Sequence, residues 1–295
     1  MRMASVWDRE RRTGWGFALP GLLLLAIVMG FPLLYAAIMS VSSLTLLHPS
    51  LRPFVGLANF NAVVGSAGFL HALWLTVGYS VVTVAGEFMI GLAVALMLNR
   101  VVAFKPIYFA VLTVPMAMSP ISVGLIWRML LQPNLGIVNA MLEGVGLPRL
   151  DWLGSPYLAF WTMVGVDVWQ QLSFVVLILS AGLAALPKDP YEAAEVDGAT
   201  PWQQFWFLTL PMLRPVAAIT VVIQLINEFR TYDLTYVLTK GGPGVSTEVL
   251  SFFAYRRAFL GLSLNEGSAA AFVLLGLVLL LTLVFFALIE KDNRE

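Results

Sequence analysis

Long stretches without charged side chains most limit how this chain can fold. Residues 13–51 contain no Asp, Glu, Lys or Arg, and neither do residues 267–289. About 20 apolar residues in a helix cross the roughly 30 Å hydrocarbon core of a bilayer. Of the 295 residues, 59% are hydrophobic and 12% are charged, and acidic and basic residues balance at 17 each. This composition predicts a polytopic membrane protein and excludes a soluble enzyme or a basic nucleic-acid binder.

Six apolar stretches predict an all-α integral membrane protein with six transmembrane helices. The predicted spans are about residues 17–40, 69–98, 107–131, 157–186, 216–238 and 267–289. Glu87 lies within the second span and Asp167 within the fourth, whereas the fifth contains Glu228, Arg230 and Asp233. No segment between the spans is long enough for a soluble domain, so residues 1–295 are predicted to form a single membrane domain.

The basic residues predict the orientation, because short cytoplasmic loops are enriched in Lys and Arg. A cytoplasmic N-terminus places ten of them inside: Arg2, Arg9, Arg11, Arg12, Arg100, Lys105, Lys188, Arg214, Lys291 and Arg294. It leaves six outside: Arg52, Arg128, Arg149, Lys240, Arg256 and Arg257. Both termini are therefore predicted to be cytoplasmic. The first apolar stretch exceeds a signal-peptide core and is expected to remain as a helix.

Several kinds of chemistry are missing from the sequence. There is no cysteine, and none of the four lysines follows a glycine, so the Gly-Lys-Ser/Thr ending of an ATP-binding P-loop is absent. His48 and His71 lack the spacing of metal ligands. We therefore expect no catalytic residues, no metal site and no cofactor bound by this chain.

The segment of residues 187–215, between the fourth and fifth spans, begins with signals for a short helix. Asp189 is expected to cap this helix, with Pro190 at its first position and Glu192 three residues after the cap. Gly198 can adopt the left-handed conformation that stops a helix. These residues predict the first arm of a cytoplasmic helix-turn-helix.

A second start signal follows at once. Thr200, Pro201 and Gln203 repeat the capping pattern, and Pro211 is expected to end the second helix. Three aromatic residues of this helix share one face: Trp202, Phe205 and Trp206. Because Lys188 is the only lysine of the loop, docking to a protein is favoured over an amphipathic pair lying on anionic lipid. The lipid-surface alternative stays open at this point.

Two motifs resemble those of a known family. Glu192-Ala193-Ala194, Gly198 six residues after the Glu, and Leu210-Pro211 resemble the EAA loop of binding-protein-dependent ABC importer permeases. Leu208 stands where the family pattern has Ile. A second motif, Leu238-Thr239-Lys240-Gly241-Gly242-Pro243-Gly244 with Ser246-Thr247-Glu248, is similar to the carbohydrate branch of these permeases, of the maltose, glycerol-3-phosphate and multi-sugar type and the first member of the permease pair.

The resemblance implies partners and a role for the loop. In that family the EAA loop sits in a cleft of a separate ATPase subunit, so the implied coupling residues here are Glu192, Ala193, Ala194, Gly198, Leu208 and Pro211. The expected partners are a second homologous permease, two ATP-binding subunits that carry the ATP and Mg²⁺, an extracytoplasmic solute-binding protein and membrane lipid, with no nucleic acid.

The polar fifth span is the predicted substrate pathway, because intramembrane charges cost about 2.5–3.5 kcal/mol and usually face a partner or a watery cavity. On helical spacing, Gln224, Asn227, Glu228 and Thr231 share one face, and Arg230 could pair with Asp233. The pathway candidates are these four residues together with Tyr232, Trp169 and Gln170, whose side chains could stack on or hydrogen-bond a sugar. The alternative is that the same groups lock neighbouring helices together.

Together these features predict a permease subunit of an ATP-driven ABC importer in a bacterial or archaeal cytoplasmic membrane. It would move a neutral sugar or oligosaccharide, or a polyol phosphate, by alternating access. One alternative is an ion-coupled secondary transporter that uses Glu87, Asp167 and Glu228. Another is a membrane-embedded enzyme with its site in the acidic loop, acting on lipid-linked substrates.

Overall fold

A computed structural model describes Trp15 and residues 17–45, 54–100 and 104–292, with side chains as far as residue 287. Several residues used to predict orientation or to judge metal binding lie outside this described part. These are Arg2, Arg9, Arg11, Arg12, His48, Arg52 and Arg294, together with the side chain of Lys291.

The described part of the chain is built from helices. In chain order they are α1 (Phe17–Ser40), α2 (Ala58–Val64), α3 (Ala67–Arg100), α4 (Lys105–Ala117), α5 (Pro120–Leu130), α6 (Ile137–Gly144), α7 (Pro156–Ala184), α8 (Asp189–Val196), α9 (Pro201–Phe229), α10 (Asp233–Leu238), α11 (Leu250–Tyr255) and α12 (Leu264–Asp292). Proline occupies the first or second position of α4, α5, α7, α8 and α9. It is favoured there because its missing N–H would be unpaired in any case.

Five of these helices are long and apolar enough to cross a membrane: α1, α3, α7, α9 and α12. The pair α4 and α5 would make a sixth crossing if it counts as one span. The prediction of an all-α membrane protein is confirmed.

The third predicted span differs from the structure. Instead of one helix over 107–131, α4 and α5 meet at an angle of 93°. Met118 and Ser119 are extended at the junction, with ψ angles of 144° and 135°. Proline disfavours the helical conformation in the residue before it, so Pro120 forces the chain out of the helix at Ser119.

The fifth span is also displaced from its predicted position at 216–238. Helix α9 begins at Pro201, runs through a π-helical turn at Phe205–Thr209 and ends at Phe229. The expectation that Pro211 ends a helix is wrong. The wider turn directly before Pro211 relieves the normal hydrogen-bond pattern, and the helix continues past the missing N–H.

The contacts divide the chain into two compact units, one of residues 1–66 and 254–273 and the other of residues 67–253 and 274–295. Asn59 is the polar centre of the first unit. Its Nδ2 donates to the carbonyl oxygens of Ser40 and Ser42 at 2.9 and 2.8 Å, and its Oδ1 accepts from Asn265 at 2.9 Å. These bonds join the end of α1 to the start of α12 within that unit.

The second unit has its core where α3, α7 and α9 pack together. The buried apolar residues there are Ala95, Val175, Leu179, Leu183 and Leu213. Gly91 lets α3 approach α7 closely, since a Cβ at this position would lie 2.7 Å from Val175 Cγ1. Gly182 plays the same part between α7 and α9, where a Cβ would lie 2.9 Å from Val216 Cγ1.

The segment between α5 and α7 is organised by one buried amide. Asn139 on α6 is 2% exposed and its Nδ2 donates to the carbonyls of Pro133 and Leu150, both at 3.0 Å. Its Oδ1 accepts from the Leu150 N–H at 3.2 Å and from Trp152 Nε1 at 3.0 Å. All the hydrogen-bonding capacity of the side chain is used, so residues 133–152 form an ordered structure without a large apolar core.

Candidate functional site

Two interruptions of helical structure meet at a cavity of about 340 Å³ in the second unit. One interruption is the α4–α5 break at Pro120, and the other is the short link between Phe229 and Asp233. Helix α7 provides the third wall. The lining residues are Pro120, Asp167, Gln170, Gln171, Asn227, Glu228, Arg230, Thr231, Tyr232, Asp233 and Leu234. Irregular backbone in membrane proteins is tolerated where it is buried or lines a watery cavity, and broken helices commonly mark a binding site.

Five of the seven predicted pathway residues line this cavity: Gln170, Asn227, Glu228, Thr231 and Tyr232. Gln224 does not, being 1% exposed. Trp169 does not either, and its ring packs edge-to-face on Trp127 with centroids 5.6 Å apart. Gln170 also supports the α4–α5 break, since its Nε2 donates to the free carbonyl of Met118 at 3.1 Å.

Hydrogen bonds link the polar residues of the fifth predicted span in two pairs. Asn227 Nδ2 donates to Gln224 Oε1 at 3.2 Å, and Thr231 Oγ1 donates to Glu228 Oε2 at 3.2 Å. Arg230 and Asp233 form no ion pair within the described structure, because α9 ends at Phe229 and the two residues do not share a helix. Both lie on the cavity wall instead.

A group of three buried carboxylates lies beside this cavity. Glu87 on α3, Asp167 on α7 and Glu228 on α9 each place an oxygen within 4.8 Å of the other two. Asp167 and Glu228 also line the cavity, whereas Glu87 does not. This is the one cluster in the described residues with the composition and spacing of a cation site.

The 187–215 segment forms two helical arms joined by a turn. Gly198 has a φ of +79°, the Gly198 N–H donates to Glu195 O and the Ala199 N–H donates to Ala194 O at 2.9 Å. The predicted capping box at Thr200 and Gln203 is present. The expected cap at Asp189 is wrong, because Lys188 occupies that position and no side chain caps the helix.

The face of this segment is open to solvent. Glu192, Ala193 and Gly198 are exposed, and the Glu192 carboxylate makes no hydrogen bond within the described structure. A groove of about 1010 Å³ lies between the two arms and the neighbouring ends of α3 and α7. A smaller one of about 340 Å³ is lined by Ala194, Gly198 and Leu208 among others. The three predicted aromatic residues are in mutual ring contact, with centroids 5.3–5.8 Å apart.

The Gly-Gly-Pro motif forms a compact loop after α10. Lys240, Gly241 and Gly244 all have positive φ angles. Thr247 Oγ1 contacts Thr239 Oγ1 at 2.7 Å and the Gly242 carbonyl at 2.9 Å, which closes the loop. A Cβ at Gly241 would lie 2.7 Å from the Phe252 ring, so this position accepts only glycine without movement.

One exposed ion pair stands between α6 and α7. Arg149 Nη2 donates to Glu143 Oε2 at 2.9 Å. Hydrogen bonding to the Arg149 guanidinium holds the pKa of Glu143 below its ordinary value. The same contact raises the pKa of Arg149. This surface therefore stays ionised over the whole neutral range.

Comparison with known proteins defines the class of protein. Residues 87–292 match the family described as binding-protein-dependent transport system inner membrane component. The trehalose/maltose transport system permease protein MalF of Thermococcus litoralis is 34% identical over 277 residues, covering 94% of this chain and 93% of that protein. The sulfoquinovosyl glycerol transport system permease protein SmoG of Agrobacterium fabrum is 32% identical, with 93% and 89% covered. The chain therefore belongs to this family of inner-membrane transport components.

Solved structures agree on the fold. A bacterial ABC transporter involved in the import of the acidic polysaccharide alginate has a chain with a TM-score of 0.85 at 23% identity, and 99% of each chain is covered. The MetNI methionine ABC transporter gives a TM-score of 0.55 at 20% identity, covering 75% of this chain and 94% of that one. The chain is a permease subunit of an ABC importer, without an ATPase site of its own. Nothing in these comparisons supports the ion-coupled secondary transporter.

Proposed function

We propose that this permease carries a carbohydrate through the cavity at the two interrupted helices. The main support is that a cavity lined by amides, hydroxyls and carboxylates lies in a chain that is 34% identical to a trehalose/maltose permease over nearly its full length. Amide and carboxylate groups hydrogen-bond sugar hydroxyls, and Tyr232 offers a ring for stacking. Gln224 supports the wall from outside by accepting a hydrogen bond from Asn227, whereas Trp169 packs on Trp127.

A neutral sugar fits the charges of this cavity better than a polyol phosphate does. Its wall contains three carboxylates, Asp167, Glu228 and Asp233, against the single guanidinium of Arg230. A phosphate group is normally held by several cationic or N–H donors. The relative named for sn-glycerol-3-phosphate transport, UgpA of Agrobacterium fabrum, is also 34% identical, over 81% of this chain, so sequence identity alone does not separate the two substrate types.

The proposed assembly follows from the exposed 187–215 segment. Glu192, Ala193, Ala194 and Gly198, with Leu208 and Pro211 on the second arm, would dock into an ATPase subunit. The small alanine side chains allow close approach, and the free Glu192 carboxylate can pair with a basic residue. The complex would contain a second homologous permease, two ATP-binding subunits that hold ATP and Mg²⁺, and an extracytoplasmic binding protein. It would lie in a bacterial or archaeal cytoplasmic membrane, with both termini of this chain in the cytoplasm.

Purification of the tagged chain from its native membrane tests this assembly. We expect a second permease and an ATPase to co-purify in fixed proportion, and the reconstituted complex to import a neutral sugar only with ATP and the binding protein. Isolation of the chain alone, with transport that survives loss of the ATPase, would contradict the proposal. Import of a polyol phosphate but no neutral sugar would contradict the substrate assignment alone.

The Asn227→Ala variant tests the pathway. Loss of one amide from the cavity wall removes about one hydrogen bond, so we expect uptake at saturating binding protein to fall about tenfold. ATP hydrolysis stimulated by the binding protein should persist, because the 187–215 segment is unchanged. Asn134→Ala removes an exposed amide between α5 and α6 and is the matched control. Equal uptake by both variants would place the pathway elsewhere.

A further inference from the structure

Three acidic side chains from three helices share one buried position in the second unit. Glu87 is 0% exposed, Asp167 6% and Glu228 1%. Their carboxylate oxygens lie within 4.8 Å of one another. The helices that carry them, α3, α7 and α9, are the same ones that form the core of this unit.

No basic side chain of the described residues forms an ion pair with this group. The hydrogen bonds of Glu87, Asp167 and Glu228 come from uncharged side chains. Three negative charges so close together repel strongly in a poorly polarisable interior. The position therefore requires positive charge from outside the protein, as bound protons or as a metal ion.

Each carboxylate is held in place by one donor of its own. Gln224 Nε2 donates to Glu87 Oε2 at 2.7 Å, and Thr231 Oγ1 donates to Glu228 Oε2 at 3.2 Å. The Tyr79 hydroxyl, itself fully buried, donates to Asp167 Oδ2. Metal-binding carboxylates are oriented by such outer hydrogen bonds, which also tune affinity.

One oxygen of the group has no partner. Glu87 Oε1 is buried and receives no hydrogen bond from any described residue. A buried carboxylate oxygen without a donor has lost its hydrogen bonds to water and has gained none from the protein. Such atoms are therefore uncommon and point to a missing ligand. Because the other oxygen of Glu87 is already bonded to Gln224, the free one is available to that ligand.

We propose that Glu87, Asp167 and Glu228 bind a divalent cation of the size of Ca²⁺. Because the three oxygens lie within 4.8 Å of one another, an ion central to them lies no more than about 2.8 Å from each, a range that includes the ~2.3–2.6 Å of Ca²⁺–oxygen contacts. Ca²⁺ accepts irregular oxygen coordination, whereas Mg²⁺ demands near-ideal octahedral geometry at about 2.0–2.1 Å, which carboxylates fixed on three packed helices fit less well. Ions and water reach the site through the adjoining cavity, which Asp167 and Glu228 line.

The bound cation fastens α3, α7 and α9 to one another. Because it binds the arrangement that brings the three oxygens together, it stabilises that arrangement over any in which the helices separate. This site goes beyond the proposed importer function and depends neither on the identity of the sugar nor on an ion gradient. It departs from the sequence-based expectation that the chain holds no metal.

Calcium binding to the purified, nucleotide-free complex in nanodiscs tests the proposal. After treatment with a chelator, the unchanged complex should bind radioactive Ca²⁺ saturably and gain thermal stability as free Ca²⁺ rises. Asp167→Asn and Glu228→Gln should weaken binding more than tenfold. Asp233→Asn removes a carboxylate of the same cavity outside the cluster and should leave affinity unchanged.

Tyr79→Phe keeps all three carboxylates and removes only the hydroxyl that orients Asp167, so it serves if the acidic variants fail to fold. It should weaken Ca²⁺ binding by about tenfold. Absence of saturable Ca²⁺ binding to the unchanged complex at millimolar concentration would show that protons alone neutralise the group and would overturn the proposal. A loss in Asp233→Asn equal to that in Asp167→Asn would also overturn it, as would saturable binding of Mg²⁺ without Ca²⁺.

Discussion

Replacing Gly198 by leucine is expected to leave membrane insertion intact and to abolish ATP-driven uptake under the proposed importer function. Gly198 makes the reversal between α8 and α9 at a φ of +79°, which a residue with a side chain adopts only with strain. No atom lies within 4 Å of the place its Cβ would take, so the substituted side chain projects from the exposed face. There it would disturb the contact with the ATPase without removing that subunit from the complex. Uptake into proteoliposomes and ATP hydrolysis by the same complex measure the loss, and hydrolysis should continue without transport.

Gly146→Leu is a closely matched control. Gly146 has a φ of +80°, also has open space around its Cβ position, and ends α6. The Leu147 N–H donates to Leu142 O at 2.9 Å, the same pattern as Ala199 with Ala194. Both substitutions therefore carry the same backbone strain, but Gly146 lies away from the 187–215 segment. Equal loss of uptake in the two variants would mean that strain, and not docking, explains the effect at Gly198.

Replacing Gly91 by leucine should destabilise the permease itself. Its Cβ alone would meet Val175 Cγ1 at 2.7 Å, between two helices that form the core. Overpacking of this kind typically costs about 1–3 kcal/mol, and here it also separates α3 from α7. We expect a clear fall in the thermal unfolding midpoint of the purified complex, and a lower yield of assembled complex.

Gly78→Leu provides the comparison on the same helix. Gly78 is exposed and has nothing within 4 Å of its Cβ position. Because glycine lowers helix stability by about 0.5–1 kcal/mol relative to alanine, this variant should be neutral or slightly more stable. A midpoint in Gly91→Leu as high as in Gly78→Leu would show that α3 and α7 are not packed as closely as described.

Much of the fold could be predicted from the apolar lengths alone. Helix α1 matches the predicted 17–40, and the ends of α3 and α7 lie within two residues of the predicted 69–98 and 157–186. Hydropathy reports the segments that the bilayer must accommodate. The turn at Gly198 and the capping box at Thr200 were also readable, since both depend on local backbone chemistry. These features need no knowledge of the rest of the chain.

Features that depend on tertiary structure were not predictable in the same way. Pro115 and Pro120 lie inside an apolar stretch that is long enough for one transmembrane helix. Hydropathy therefore predicts a single span there, although the structure has two helices. Pro211 predicts the end of a helix, whereas the π-helical turn before it lets α9 continue. Helical spacing predicts that Arg230 pairs with Asp233, but α9 ends at Phe229 and the two residues do not share a helix.

The carboxylate cluster shows most clearly what could not be predicted from the sequence. Glu87, Asp167 and Glu228 come from three separate spans, and their proximity results from the packing of α3, α7 and α9. The sequence groups them only as possible ion-coupling residues of a secondary transporter, and no spacing predicts that they lie in contact. The cavity was partly foreseen, because five of its lining residues follow from the polar face and from α7. Its other wall depends on the α4–α5 break.

The α4–α5 break also bears on the order in which the chain is made and inserted. Helix α4 has 13 residues and α5 has 11, so at about 1.5 Å per residue neither reaches across roughly 30 Å of hydrocarbon alone. The Met118 carbonyl between them is satisfied by Gln170 of α7, a residue that leaves the ribosome some fifty positions later. Until then the nascent chain holds an unpaired peptide group that lipid cannot solvate. Because of the break, α4 and α5 complete their integration into the membrane only when α7 has been synthesised.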